Sequence, residues 1–321
     1  VADKQGADKQ GADGAATKVP APRSTHERLQ ATLRRGNESL SPRALRRLLA
    51  DLQDVVAPQV SELEGGRRAQ VVAAWYGQAE PEERRDMWLL LCEQFAPDAT
   101  RFQSARQRYE AAAGTADEGQ AEISLRRALV SPRTRLMQRF AVFPEGMRFL
   151  VDLRAELLPQ LKSDKRLVAL DADLEHLFTT WFDVAFLELR RLSWDSPASL
   201  IEKLIKYEAV HDIRSWADLK NRLDSDRRCY GFFHPRLPNE PLIFVEVALV
   251  DRISSSITPL LDEAAAPADL KKATTAIFYS ISNTQPGLRG VSFGDSLIKH
   301  VVETLTAEFP RLRTFATLSP I

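Results

Sequence analysis

The chain has 321 residues, 44% of them hydrophobic and 27% charged, and its 44 basic and 44 acidic side chains balance to a formal charge of zero. That length allows two domains, and the neutral balance supplies no global field toward nucleic acid or an anionic membrane. Cys92 and Cys229, far apart in the chain, argue against a disulfide framework or a cysteine-built zinc site and suit a reducing compartment, the cytoplasm; no apolar run approaches the ~20 residues of a membrane helix.

Residues 1–24 carry the repeat ADKQG-ADKQG-ADG without an apolar centre, so they read as a disordered tail and not as a targeting signal. Residues 25–205 read as helical almost throughout. Ser41-Pro42 starts a helix with Leu45, Leu48, Leu49, Leu52 and Val56 on one stripe, since serine caps well and proline suits the first helical position. The same pair recurs at Ser131-Pro132 and Ser196-Pro197, and Pro81 opens PEERRDMWLLLCEQF. In LDADLEHLFTTWFDVAFLELRRL, the residues Leu170, Leu174, Leu177, Phe178, Trp181 and Ala185 follow the helical period. Such helices are marginal alone and are expected to pack as a bundle, with any surplus apolar face left for a second subunit.

After Val210 the composition shifts. SWADLKNRL reads as a short helix with Ser215 and Asp218 spaced as a capping box. RRCYGFFHP, PLIFVEVALV and TAIFYSISNT are strand-like, and PRLPNE joins the first two as a tight hairpin. DRISSSITPLLDEAAAPADLKK reads as a short helix or loop. A glycine-spaced loop, a helix from about residue 293 to 309, and FATLSPI as a last strand complete a mixed α/β arrangement.

In SISNTQPGLRGVSFGDSLIKHVV, Gly287, Gly290 and Gly294 let the backbone take positive φ and approach a ligand. N–H groups of the following helical turn would then face an anion, which the helix dipole favours. The P-loop pattern fails for want of Gly-Lys-Ser/Thr, and the spacing is not the dinucleotide G-x-G-x-x-G. Alone, the loop is equally well read as turn chemistry. Its setting, after a hairpin and strand and before a helix and a last strand, resembles the acetyltransferase (GNAT) fold. That fold's Q/R-x-x-G-x-G/A loop holds the coenzyme A pyrophosphate, and the pantetheine arm lies between two splayed strands. Gln285 and Gly290 match the ends of the pattern, with Leu288 at its inner glycine.

The longer words EAVHDIRSWADLKNRLDSDRRCYGFFHP, EPLIFVEVALV, AIFYSISNTQPGLRGVSFGDSLIKHVV, FATLSPI and, upstream, MRFLVDLRAELL are similar to the malonyl-CoA decarboxylase family. The resemblance implies an α + α/β protein, with a helical oligomerisation domain over residues 25–205 and a GNAT-like catalytic domain over 206–321. It implies conversion of malonyl-CoA to acetyl-CoA and CO2 without metal or organic cofactor, by a homotetramer or dimer. Carried over residue by residue, the catalytic serine of the S-P-I word is Ser319. The acyl-CoA-contacting segment is Arg289, Gly290, Val291, Ser292, Phe293, Gly294 and Asp295, with Ser292 standing where some members carry glutamate. The family's serine pairs with a histidine in a downstream N-P-V-A-x-F-H word, which neither His211, His234 nor His300 matches. The natural protein is therefore expected to continue past Ile321, and this chain by itself to lack a complete active site. Two other readings stay open. One is a CoA-dependent acyltransferase on the same fold with Glu246 as base; the other is a non-enzymatic helical assembly module that binds no CoA.

Overall fold

The structure, a computed structural model, describes residues 39–291 and 294–318. Helices come first: α1 Pro42–Val55, α2 Glu62–Gln78, α3 Pro81–Gln94, α4 Ala99–Ala112, α5 Glu118–Leu129, α6 Pro132–Phe140, α7 Gly146–Leu157 and α8 Val168–Trp181. Their starts are written locally. The hydroxyls of Ser41, Ser61 and Ser131 accept from main-chain N–H groups three residues on, and Glu80 and Glu83 close a capping box on α3. On α1 the predicted stripe is buried, except that Val55 and not Val56 faces inward.

Two parts of the helical reading are corrected. Helix α8 buries Leu170, Leu174, Leu177 and Phe178 but ends at Trp181. Asp183 then accepts from Ala185 N–H at 2.9 Å to start a 3-10 turn, Val184–Phe186, and the following ELRRL is strand β1, Glu188–Leu192. Pairing of β1 with β2 overrides the helical period. At the third Ser-Pro pair, Ser196 Oγ accepts from Ser193 N–H at 3.0 Å instead of capping a helix, and Pro197 itself is the cap residue of α9, Ala198–Tyr207.

Helix α10, Trp216–Arg222, starts with Ser215 Oγ accepting from Asp218 N–H at 3.0 Å. Then come β2 Arg227–His234, β3 Leu237–Val250, β4 Thr275–Asn283, α11 Gly294–Glu308 and β5 Thr314–Thr317. The sheet order is β1-β2-β3-β4-β5, antiparallel except for the parallel pair β4–β5. His234 pairs with Leu237, so the β2–β3 turn is only Pro235-Arg236. The segment after β3 holds one short 3-10 turn, Thr258–Leu260.

Alternation splits the sheet's side chains between two faces. Cys229 and Phe244 pack with Ile201, Leu204 and Leu219 from α9 and α10. Tyr230, Phe232, Val245 and Val247 join Leu297, Val301 and Leu305 of α11 in a cluster that continues into α1, α3, α6, α7 and α8. One apolar core therefore runs from the helical half into the sheet. No helix among the described residues is long and apolar enough to cross a membrane.

Candidate active site

The glycine loop leaves β4 at Asn283 and makes a 3-10 turn, Pro286–Leu288, before α11 begins at Gly294. Gly290 has φ +87°, where a Cβ is strained, so this position needs glycine for its conformation. Gly287 does not fit that reading. Its φ is not positive, and an added Cβ would lie 1.9 Å from Val151 O of α7. The close approach at Gly287 is to the backbone of the helical half, not to a ligand.

Below the loop lies Arg154 of α7, only 1% exposed. Its Nη1 donates to Gly287 O at 2.9 Å and to Arg289 O at 2.8 Å. Nε donates to Asp171 at 2.8 Å and Nη2 to Glu175 at 3.2 Å, both carboxylates coming from α8. Two charges of opposite sign and two orphan carbonyls thus satisfy a guanidinium that would be costly to bury alone. Six residues earlier on α7, Arg148 donates to Gln285 Oε1 at 2.6 Å, while Gln285 Nε2 donates to Pro241 O at 3.0 Å. The loop is tied to helix on one side and to β3 on the other.

On the outer side a cleft of about 320 Å³ is lined by Leu242, Asn283, Gln285 and the loop through Val291. The sequence-predicted residues divide there. Arg289 and Gly290 are exposed, whereas the Val291 side chain turns into the core. The N–H groups of Arg289 and Val291 are engaged within the loop, by Pro286 O and Leu288 O; no described residue accepts from Gly290 N–H. Gly294 and Asp295 open α11. Ser292, Phe293 and Ser319 lie outside the described residues.

Beside the cleft, β5 runs parallel to the first half of β4. Strands β4 and β5 pair from Thr275↔Thr314 to Phe278↔Thr317, and Leu318 N–H still donates to Phe278 O at 2.9 Å. From Tyr279 to Asn283, β4 has no described partner on that side. The register between β3 and β4 also shifts here, since Glu246 faces Ser280 and Val247 faces Phe278, leaving Tyr279 as a bulge.

Behind the bulge is a buried charged cluster. Glu208 accepts from the hydroxyls of Ser280 and Ser282 and from the N–H groups of Val210 and His211. Arg222 donates to Asp218 at 2.8 Å and to Glu246 Oε2 at 3.1 Å. Burial would lower the Arg222 pKa, but Asp218 and Glu246 together raise it. Glu246 is fully buried, its Oε1 has no partner, and burial and then the Glu208 charge push it up to about 8 against the pull of Arg222. The residue that an acyltransferase would use as base therefore faces an arginine inside the domain and does not line the cleft. His234 is buried against Phe182 and accepts from Arg236 N–H at 3.1 Å; burial lowers its pKa. His300 lies over Phe232, away from the loop cleft.

Sequence reasoning did not single out Arg148, Arg154, Asp171 or Glu175. The signal was present: Met147, Leu150, Val151, Arg154 and Leu157 share one stripe of α7 and all are buried. An arginine on an apolar stripe implies a fixed partner beneath it.

A helical half leaning on a mixed sheet, with a bulged β4 that pairs in parallel with β5 and feeds a turn-and-helix loop, defines a GNAT-like domain. Family models agree at both ends. The model "Malonyl-CoA decarboxylase C-terminal domain" matches residues 185–321, and "Malonyl-CoA decarboxylase N-terminal domain" matches residues 95–182. The chain belongs to the malonyl-CoA decarboxylase family. It is 37% identical over 266 residues to the mitochondrial malonyl-CoA decarboxylase of Mus musculus, covering 80% of this chain and 54% of that protein. Against the Anser anser anser protein of the same name it is 42% identical over 202 residues, 61% of this chain and 40% of the relative. The chain thus spans about half the length of the curated relatives it matches. Crystal structures of malonyl-CoA decarboxylase from Rhodopseudomonas palustris (43% identity, TM-score 0.77) and Agrobacterium vitis (39%, 0.79) each cover 86% of this chain, which covers 66% of theirs.

Proposed function

We propose that the protein converts malonyl-CoA to acetyl-CoA and CO2, with the acyl-CoA seated on the loop from Arg289 to Asp295. The observation that carries this reading is the loop itself. It presents the Gly290 N–H and the Arg289 side chain beside a cleft, at the end of β4. The pyrophosphate lies on these donors and on the start of α11, where the dipole favours an anion. The thioester arm runs along the open edge of β4.

In the reaction the bond from the α-carbon to the carboxylate breaks, CO2 leaves, and the electron pair moves into the thioester carbonyl as an enolate. A proton then adds to the α-carbon. Backbone donors at the open strand edge stabilise the oxyanion, so the step requires neither a metal nor an organic cofactor. Ser319, carried over from the family's S-P-I word, hydrogen-bonds the malonyl carboxylate or relays the proton.

Self-association as a dimer or tetramer is part of the same reading. Its support is the run of exposed apolar side chains on the helical half, Leu63, Val71, Ile123, Leu129 and Val130. Two unpaired cysteines suit a reducing compartment such as the cytoplasm.

The test is product analysis with malonyl-CoA, and with acetyl-CoA plus amines, on the protein carrying this chain at the full length of its relatives. Release of CO2 with the thioester intact is expected. Free CoA thiol formed only with an amine would instead establish the acyltransferase reading, and CoA binding by neither protein nor loop variants would leave the assembly module.

A further inference from the structure

We infer that Arg154 of the helical half is a positioning residue for the acyl-CoA loop, setting the direction in which the Gly290 N–H points. The inference rests on the proposed acyl-CoA site. A trans peptide holds its C=O and N–H in opposite directions. Because Arg154 Nη1 draws the Arg289 carbonyl inward at 2.8 Å, the N–H of the same peptide unit, that of Gly290, is turned outward to the cleft. The second bond from Nη1, to Gly287 O at 2.9 Å, fixes the preceding turn, and Gly287 lies directly against the α7 backbone. The guanidinium cannot swing away, since Asp171 and Glu175 hold its other nitrogens. Arg154 also neutralises Glu175, whose carboxylate stands 3.7 Å from where a Gly290 Cβ would be. Without it, a carboxylate would face the anion site uncompensated. Helix α7 therefore does more than fill a core or an interface; it presets the loop for an anion.

The test compares Arg154→Lys with Arg133→Lys. Arg133 is a matched control: buried, bonded to Asp173 at 2.8 Å and to Cys92 O at 3.0 Å, and confined to the helical half. A lysine at 154 keeps the charge but cannot span two carboxylates and two carbonyls at once. In the ligand-free protein, amide hydrogen exchange at residues 288–291 is expected to quicken at least about tenfold in Arg154→Lys and to stay unchanged in Arg133→Lys. Affinity for CoA should fall about 10- to 100-fold in the first variant only, the range for losing a hydrogen bond to a charged group. If Arg154→Lys fails to fold, Asp171→Ala, which leaves Nε without its acceptor, carries the test with a smaller change in the same direction. Unchanged loop exchange, or equal effects of both arginine variants, would overturn the inference. Wild-type protein that binds no CoA would sink the site reading instead, leaving the clamp to be judged by exchange alone.

Discussion

Glu246 gives a pH dependence whose sign and size follow from its surroundings. The carboxyl is fully buried on β3, with one oxygen on Arg222 and the other without a partner. Its pKa rises from the ordinary 4.5 to about 8, so at neutral pH the folded chain holds a proton that the unfolded chain releases. A folded-state pKa above the unfolded value means that stability falls as pH rises between the two. Each pH unit in that window costs about 1.4 kcal/mol, so going from pH 5.5 to pH 8 should cost about 3 kcal/mol through this one group. Glu246→Gln removes the titration but leaves its amide with one poorly satisfied group. That penalty is the same at both pH values and cancels in the comparison. Urea unfolding of wild type and variant at pH 5.5 and 8.0 should show the variant gaining about 3 kcal/mol on wild type over that interval. An equal difference at both pH values would mean that Glu246 is ionised in the folded state, and the proton assignment would be wrong.

Gly287→Ala places a methyl 1.9 Å from Val151 O and should cost about 1–3 kcal/mol in urea unfolding while weakening CoA binding. Gly114→Ala, at φ +74° with open space around it, should cost about 1 kcal/mol and leave binding unchanged; matching binding losses in both would reject the interdomain role of Gly287. Glu175→Gln removes a negative charge beside Gly290 and should tighten CoA binding about two- to fivefold at low ionic strength, an effect that added salt should shrink. Weaker binding in that variant would contradict the electrostatic account of the loop. Val71→Glu together with Leu129→Glu should lower the sedimentation coefficient at micromolar concentration, and an unchanged assembly would move the interface off these exposed positions.

Much of this was legible in residues, and the failures have physical causes. Serine-proline starts located α1 and α6, Pro81 and an apolar stripe located α3, and β-branched runs located β2, β3 and β4. ELRRL was not legible as β1, because its leucines also continue the period of α8 and only pairing with β2 decides the matter. The loop was legible in its glycines, but sequence cannot say what a missing Cβ faces. Gly287 was read toward a ligand and packs on α7. Arg154 was visible only as a charge on an apolar stripe, and its meaning needed the distant carbonyls it binds. Ser319 and the Arg289–Asp295 segment came from family words, and the fold brings Arg289, Gly290 and Val291 of these to the cleft.

Calorimetric titration of malonyl-CoA into the wild-type chain and into Gly290→Val tests the central claim most directly. Valine is β-branched and Gly290 sits at φ +87°, so the substitution should strain the loop by about 1–3 kcal/mol and block the outward approach of its N–H. Saturable binding by the wild type, weakened at least about tenfold in a variant that still unfolds cooperatively, is the result the account predicts. Equal affinity in the two proteins would contradict it and remove the loop from the site.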